Sequence, residues 1–373
     1  MKGLFLIFHG LEAYNGISKK IRYQVDAFKQ CGVDMRLCYI DIDASGNQRR
    51  MVEQEQIERF DHSIRGKLKK WTDYTAILHY IEAHAINFVY VRSYHNANPF
   101  LISTIKTLKR KGIKVLLEIP TYPYDQEYIG ATKTMKFQLR LDKTFRKQLA
   151  KELFAIVTFS DDPAIFGAHT INISNGIDFD AIVLKQSIND TSQQLRLISV
   201  AEIHRWHGFD RLIAGLIEYY KTEQSYQVLY DIVGYGVGVE IEKLHKLVND
   251  NNLSNYVRFH GSQFGTALDT LFENADMGIA SLARHRSNIT HIKTLKNREY
   301  AARGIPFVYS EIDNDFEAMP YILKAPMDET PIDIAALIQF YHKIEKTPND
   351  IRQSVNFLSW QVQLQKVVDA VFS

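Results

Sequence analysis

Apolar runs of strand length alternate with segments of helical period along nearly the whole chain, and the alternation starts twice. The first array opens with GLFLIF, residues 3–8. The stretch GISKKIRYQVDAFKQCG follows, with Ile17, Ile21, Val25 and Phe28 at helical spacing and Gly32 closing the helix. MRLCYI, NFVYVR, KVLLEIP and FAIVTFS read as further strands, separated by the helix PFLISTIKTLKRKG and a long basic helical stretch, Lys133 to Glu152. Strands joined by helices require crossovers, so the array is expected to form a parallel sheet covered on both faces.

The array breaks after ISNGIDFDAI, where Asn175 and Gly176 mark a turn, and the following KQSINDTSQQ is polar and unpatterned. A second array then begins: LRLISVAEI, helix FDRLIAGLIEYYKTE, YQVLYDIVG, helix VEIEKLHKLVND, VRFHG, helix TALDTLFENA, MGIASL, a short helix and FVYS. Two doubly wound domains follow from this, which suits 373 residues, more than one ordinary core holds. The last stretch, FLSWQVQLQKVVDAVF, is an amphipathic helix with no strand after it, so it must cover something already built.

Composition narrows the class. Hydrophobic residues at 46% and charged residues at 24% are those of a packed globular protein. A formal charge of +2 gives no general field for nucleic acid, and none is expected as a partner. Cys31 and Cys38 read as two packed thiols of a reducing compartment. The run MKGLFLIFHG is too short for a signal peptide, and nothing approaches the roughly 20 apolar residues of a membrane span. The expectation is a cytoplasmic protein. RGKLKKW and KTMKFQLRLDKTFRKQLAKE interleave cations with Met135, Phe137, Leu139, Leu141, Phe145 and Leu149. A solvated helix face and peripheral contact with anionic membrane, at the inner face of the plasma membrane, both fit that pattern.

In open parallel sheets ligands sit beyond the carboxyl ends of the strands. In the second array the loops there carry Arg205, His207, Arg284, Arg286, Lys293 and Lys296, with glycines at 234, 236, 238, 261 and 265 that let backbone approach a ligand. KTLKNREYAARGIP reads as a helix whose entrance holds Lys293 and Lys296, with Glu299 one turn inside and Gly304 as C-cap. A helix start flanked by lysines suits a diphosphate, and Glu299 can accept hydrogen bonds from ribose hydroxyls. The alternatives stay open: Glu299 paired with Lys296 or Arg303, Arg205 and His207 as solvated loop residues, and Glu118 as a buried acid held by loop amides. Asp41 and Asp43 form an Asp-x-Asp, but after the second strand of the first array rather than in the cationic wall. His9 and His95 read as lining residues without a ligand role.

Six pieces in register, SNGID, SVAEIHRWHGFDRLI, DIVGYGVGVEIEKL, VRFHG, ADMGIASL and LKNREYAARGIP, resemble the nucleotide-sugar domain of glycosyltransferase family 4. NGISKKI and EIPTYPYDQEY add a resemblance to that family's bacterial polysaccharide enzymes. The resemblance implies an α/β protein of the GT-B fold, two doubly wound Rossmann-like domains facing a cleft, with the C-terminal helix crossing back to the first. The implied domains are 1–180 with 357–373, which binds acceptor, and 181–356, which binds the nucleotide sugar. It implies transfer of a sugar from a nucleotide diphosphate donor to a hydroxyl of a glycan or lipid-linked acceptor, with retention, without metal and with no cofactor beyond the co-substrate.

Carried over by position, Glu299 matches the second glutamate of the family's paired-glutamate motif, while His291 stands where the first belongs. The family's diphosphate-contacting Arg and Lys fall at Glu202 and His207. The candidates are Gly16, Arg205, His207, Gly234, Gly236, Gly261, Lys296 and Glu299 for donor and nucleotide, and Glu118, Thr121 and Arg286 for catalysis. The competing class is a catalytically weakened GT-B protein that binds a nucleotide sugar or glycan as a partner subunit, and a nucleotide-sugar epimerase of similar architecture is a third.

Overall fold

The computed structural model describes residues 1–12, 16–125, 132–236 and 239–372, which divide into two compact units, 1–174 with 360–373 and 175–359. Gly238, one of the glycines at the strand ends, lies outside the described residues.

The first unit runs β1 (Lys2–Leu6), α1 (Gly16–Gln30), β2 (Asp34–Ile42), β3 (Gln48–Val52), β4 (Glu55–Phe60), α2 (Ile64–Thr72), α3 (Thr75–Ala83), β5 (Phe88–Arg92), α4 (Pro99–Arg110), β6 (Lys114–Ile119), α5 (Lys133–Ala150), β7 (Ala155–Thr158), β8 (Ala164–Ile165) and β9 (Ala168–Asn172). The sheet order among the described strands is β4-β3-β2-β1-β5-β6-β7-β9-β8, parallel from β2 to β9 and antiparallel at both edges. The central strands are apolar on both faces, as parallel strands covered by helices must be: all of Phe88–Arg92 is buried. Helix starts follow local chemistry. Asn98 accepts hydrogen bonds from the Phe100 and Leu101 amides ahead of Pro99, and Ser63 accepts from Gly66 at the head of α2.

The β3–β4 hairpin is not legible as an alternating pattern because its inward residue is charged. Arg50 is buried, paired with Glu58 and donating to the Lys70 and Asp73 carbonyls. The Asp-x-Asp serves this hairpin: Asp41 pairs with Arg49 at 2.9 Å, and Asp43 accepts from the Ser45 and Asn47 amides and pairs with Arg59.

The second unit runs β10 (Gln194–Ile203), α6 (Phe209–Tyr219), β11 (Gln227–Gly236), α7 (Glu240–Asp250), β12 (Val257–Gly261), α8 (Gly265–Asn274), β13 (Met277–Ile279), α9 (Leu295–Arg303), β14 (Phe307–Tyr309), β15 (Ile322–Lys324), α10 (Ile334–His342) and α11 (Pro348–Ser354). Its strands are parallel in the order β12-β11-β10-β13-β14-β15. The sheet therefore extends one strand past FVYS, where the sequence pattern ends. β10 leads outward to β11 on one side while β13 lies on its other side, so the direction of winding switches between β10 and β13. In the first sheet the same switch falls between β1 and β5.

The chain ends in α12 (Trp360–Phe372), which belongs to the first unit. Trp360, Leu364, Val367, Val368 and Val371 pack with Phe5, Ile21, Val25, Phe28, Phe88 and Val157 in the cluster beneath α1. Ser174 donates its amide to Gln363 Oε1 at 2.8 Å. Cys31 and Cys38 are free thiols, and burial pushes Cys38 up to about 12. Among the described residues no helix is long and apolar enough to cross a membrane.

Candidate functional site

The site is built where the winding of the second sheet switches. β10 ends at Ile203 and turns through one 3₁₀ turn, Arg205–His207, into α6. Gly208 links them at φ 65°, and a Cβ there would lie 2.8 Å from that of Ala283. Only glycine lets the 3₁₀ turn press against the segment after β13. The Leu282 amide donates to the His207 carbonyl at 2.8 Å and fixes the same contact. At the end of β11, a Cβ on Gly234 would sit 1.8 Å from the Ala201 carbonyl oxygen, so β10 and β11 stay close at their carboxyl ends. Gly236 ends β11 and Gly261 ends β12.

α9 enters this region with Thr294 as N-cap, accepting from the Asn297 amide, and leaves through Gly304 at φ 76°. Lys296, in the first turn, places Nζ 3.0 Å from His207 Nε2. His207 Nδ1 accepts the His204 amide at 3.1 Å, so the ring proton sits on Nε2 and the lysine nitrogen can accept it only as the free amine. Charge and burial agree with that pairing. Desolvation, then Lys296 and Arg284, hold the His207 imidazole well below its ordinary range. Desolvation and Arg284 lower Lys296 to about 7, while Glu311 works against them.

Glu311, fully buried just after β14, is the acid facing this cluster, and desolvation raises its pKa against the pull of Arg284 and Lys296. Its Oε1 accepts weakly from Thr294 Oγ1 at 3.4 Å and Asn297 Nδ2 at 3.5 Å, and among the described residues Oε2 has no partner. Ser281 Oγ and Asn297 Oδ1 are likewise buried without a partner among the described residues, so the surroundings of the first turn of α9 hold unmet hydrogen-bonding capacity. The next residue of α9 is spent on structure: Arg298 is buried between Asp313, Asp315 and the Asn175 carbonyl.

The remaining candidates divide. Arg205 and Arg286 line a cavity of about 620 Å³ beside α7, with His204, Asp210, Lys243 and Glu329. Arg286 is occupied: it meets both oxygens of Asp210 at 2.9 and 2.8 Å, pairs with Glu329 and donates to the Arg205 carbonyl at 2.8 Å. It positions Arg205, and all three of its side-chain nitrogens are already engaged. Glu299 Oε1 lies 3.1 Å from Arg303, which also holds Asp269 at 2.8 Å, so the helix-pair geometry is present. His291 is exposed ahead of α9.

In the first unit, Gly16 is exposed at the start of α1 and Thr121 is half-buried after β6. Glu118 is fully buried: Gln24 and Tyr90 donate to Oε2 at 2.6 and 2.7 Å, and Arg92 and Lys20 face Oε1. Its partners are side chains of neighbouring elements rather than loop amides, and the Lys20 and Arg92 charges hold its carboxyl below the ordinary range despite burial. His9 and His95 are both lowered by desolvation. Glu311 and Asn297 are not among the candidates named from the sequence. The signal was present for Glu311, since it lies one residue past FVYS, a strand's carboxyl end.

The sequence matches no family model, and no curated protein matches it. Solved structures do. The chain is similar to sucrose-phosphate synthase from Thermosynechococcus elongatus at TM-score 0.67 and 13% identity, covering 100% of this chain and 98% of that one. It is similar to a glycosyltransferase from Rickettsia africae ESF-5 at 0.61 and 12%, over 99% and 97%. A third is an E. coli trehalose-6-phosphate structure bound with UDP-2-fluoro glucose, at 0.61 and 12% over 100% and 99%. At such identities the likeness establishes the fold, which is GT-B.

Proposed function

We propose that the chain is a glycosyltransferase resembling family 4, moving a sugar from a nucleoside diphosphate donor to a hydroxyl of a glycan or lipid-linked acceptor in the synthesis of a bacterial surface polysaccharide. The observation that carries the reading is the meeting of His207, Arg284 and Lys296 at the first turn of α9, on the switch point of the second sheet. Arg284 and Lys296 share a desolvated place beside a neutral imidazole, and among the described residues Lys296 forms no ion pair with a carboxylate, Glu311 acting on it only through its field. A diphosphate supplies the missing charge and meets the free amides of the helix start.

In this reading Lys296 and Arg284 stabilise the leaving diphosphate as negative charge develops on it, and His207 holds the lysine in place. Glu299 receives the ribose hydroxyls through the oxygen not given to Arg303. Transfer proceeds with retention and without a metal. The first unit presents the acceptor at the carboxyl edge of its own sheet. Incubation with a panel of nucleotide sugars, reading nucleoside diphosphate release with and without acceptor, tests it. One donor is turned over and Lys296→Met abolishes turnover; absence of both binding and release across the panel refutes the reading.

His291, standing where the family carries its first glutamate, favours a second reading, a GT-B subunit that binds donor or glycan without turning it over. Donor binding with no release under any acceptor would select it.

A further inference from the structure

A second cavity, of about 330 Å³, lies in the first unit between the β3–β4 hairpin and α2. β2 is parallel to β1, and β4 runs in the same direction beyond the antiparallel β3, so Ile42 and Phe60 both mark carboxyl ends of strands. The cavity therefore opens on the edge where parallel sheets bind ligands. It is lined by Gln48, His62, Lys67, Lys70 and Trp71, and by Asp61. Trp71 continues toward the switch point of the sheet: its ring stacks on Tyr94 at 5.9 Å and on Phe8 at 6.1 Å, and Tyr94 meets His9 at 5.7 Å.

The cations are uncompensated. Lys70 is partly buried, donates to the neutral Gln48 Oε1 at 2.9 Å and lies over the Trp71 ring, and burial and the nearby Arg50 lower its pKa. Among the described residues neither Lys70 nor Lys67, one helical turn earlier, has a carboxylate partner. The acids nearby are committed elsewhere: Glu58 to Arg50 and Lys69, Asp73 to the Thr75 amide and Lys69, and Asp61 to Ser63. Beside this face, α2 exposes Ile64 at 79% and Leu68 at 58%, one turn apart.

We propose that this cavity binds a phosphate group of the acceptor, with Lys67 and Lys70 as its cations, Gln48 as a hydrogen-bonding amide and Trp71 as the wall for the attached sugar or lipid. The proposal rests on the glycosyltransferase reading for the word acceptor, and its binding does not. The phosphate comes either from a lipid carrier, with Ile64 and Leu68 entering the acyl region, or from a soluble phosphorylated glycan.

The experiment uses the full chain and reads phosphate binding by titrating inorganic phosphate and glucose 1-phosphate under NMR observation of the Trp71 indole and α2 amides. Wild type shifts saturably; Lys70→Gln and Lys67→Gln each weaken binding about tenfold, as loss of one charge-assisted hydrogen bond does, and Lys70→Arg retains it. Lys67 is exposed, so its variant keeps the test valid if Lys70→Gln unfolds. The source is read by sedimentation with phosphatidylcholine vesicles carrying phosphatidic acid or an equal charge of phosphatidylglycerol. Preference for phosphatidic acid, lost in Ile64→Ser/Leu68→Ser, assigns a lipid carrier; soluble-phosphate binding with no such preference assigns a soluble acceptor. Wild type that binds neither soluble phosphate nor phosphatidic acid vesicles, or lysine variants that bind as wild type does, overturns the proposal. Nucleoside diphosphate binding, followed in the same samples, reports separately on the donor reading and is unchanged in the α2 variants.

Discussion

Lys296→Met should make the ligand-free protein more stable while removing its grip on diphosphate. Lys296 is protonated in the unfolded chain up to about pH 10.5, but in the folded chain only up to about 7. Between those values the unfolded state binds the extra proton, so the lysine destabilises the fold fully below pH 7, and its cost declines as pH rises toward 10.5. The whole displacement corresponds to about 5 kcal/mol at roughly 1.4 kcal/mol per unit. Partial exposure of the side chain reduces it, leaving on the order of 2 kcal/mol, and methionine keeps the volume of the stem. Glu311, raised above the ordinary carboxylate range, contributes with the opposite slope, and because Lys296 is one of the charges that hold it down, the variant raises it further and loses stability as pH rises, which narrows the gap in the same direction. Urea unfolding at pH 6, 7.5 and 9 is the assay. The variant is more stable at pH 6, and the gap narrows as pH rises. Parallel profiles, or a variant less stable than wild type at pH 6, would refute the account of a desolvated, uncompensated cation.

Diphosphate binding should restore the proton to Lys296, so titrations of nucleoside diphosphate at pH 8 in buffers of different ionisation heat should report proton uptake; a buffer-independent heat would count against it. Glu299→Ala should weaken nucleoside diphosphate binding by about 1–3 kcal/mol by calorimetry, whereas unchanged affinity would leave Glu299 as the helix partner of Arg303. Glu118→Ala strands Lys20 and Arg92 without their acid, and should cost about 3–5 kcal/mol of stability in the first unit; a loss under about 1 kcal/mol would show that the pair is solvated. Truncation after Ser359 removes Trp360, Leu364, Val367 and Val371 from the cluster beneath α1, so new fast-exchanging amides should appear within 1–174; exchange gained only within 175–359 would contradict the placement of α12. Transfer should continue in excess chelator, and a strict need for added manganese would return attention to Asp41 and Asp43.

The parallel strands were legible because burial on both faces writes continuous apolar runs, and the helices between them because glycines such as Gly32 and Gly304 mark their ends. The β3–β4 hairpin escaped because Arg50 and Glu58 satisfy each other inside the sheet, so its inward face is not apolar. β15, three residues long, is too short to show a period. For the candidate site, glycines and cations at strand ends pointed to loops that the fold brings together around the first turn of α9. What they could not show was which cations are already committed. Arg286 and Lys296 look alike in sequence, yet Asp210 and Glu329 neutralise the first, while the second faces a neutral histidine. Such pairings join residues more than forty positions apart, and no local pattern carries them.

The most direct test is a structure of the chain with a bound nucleoside diphosphate. Both phosphates should lie at the first turn of α9, within hydrogen-bond reach of Lys296 Nζ and the helix amides, with the ribose hydroxyls on Glu299. A nucleotide seated elsewhere, with Lys296 still turned to His207, would contradict it.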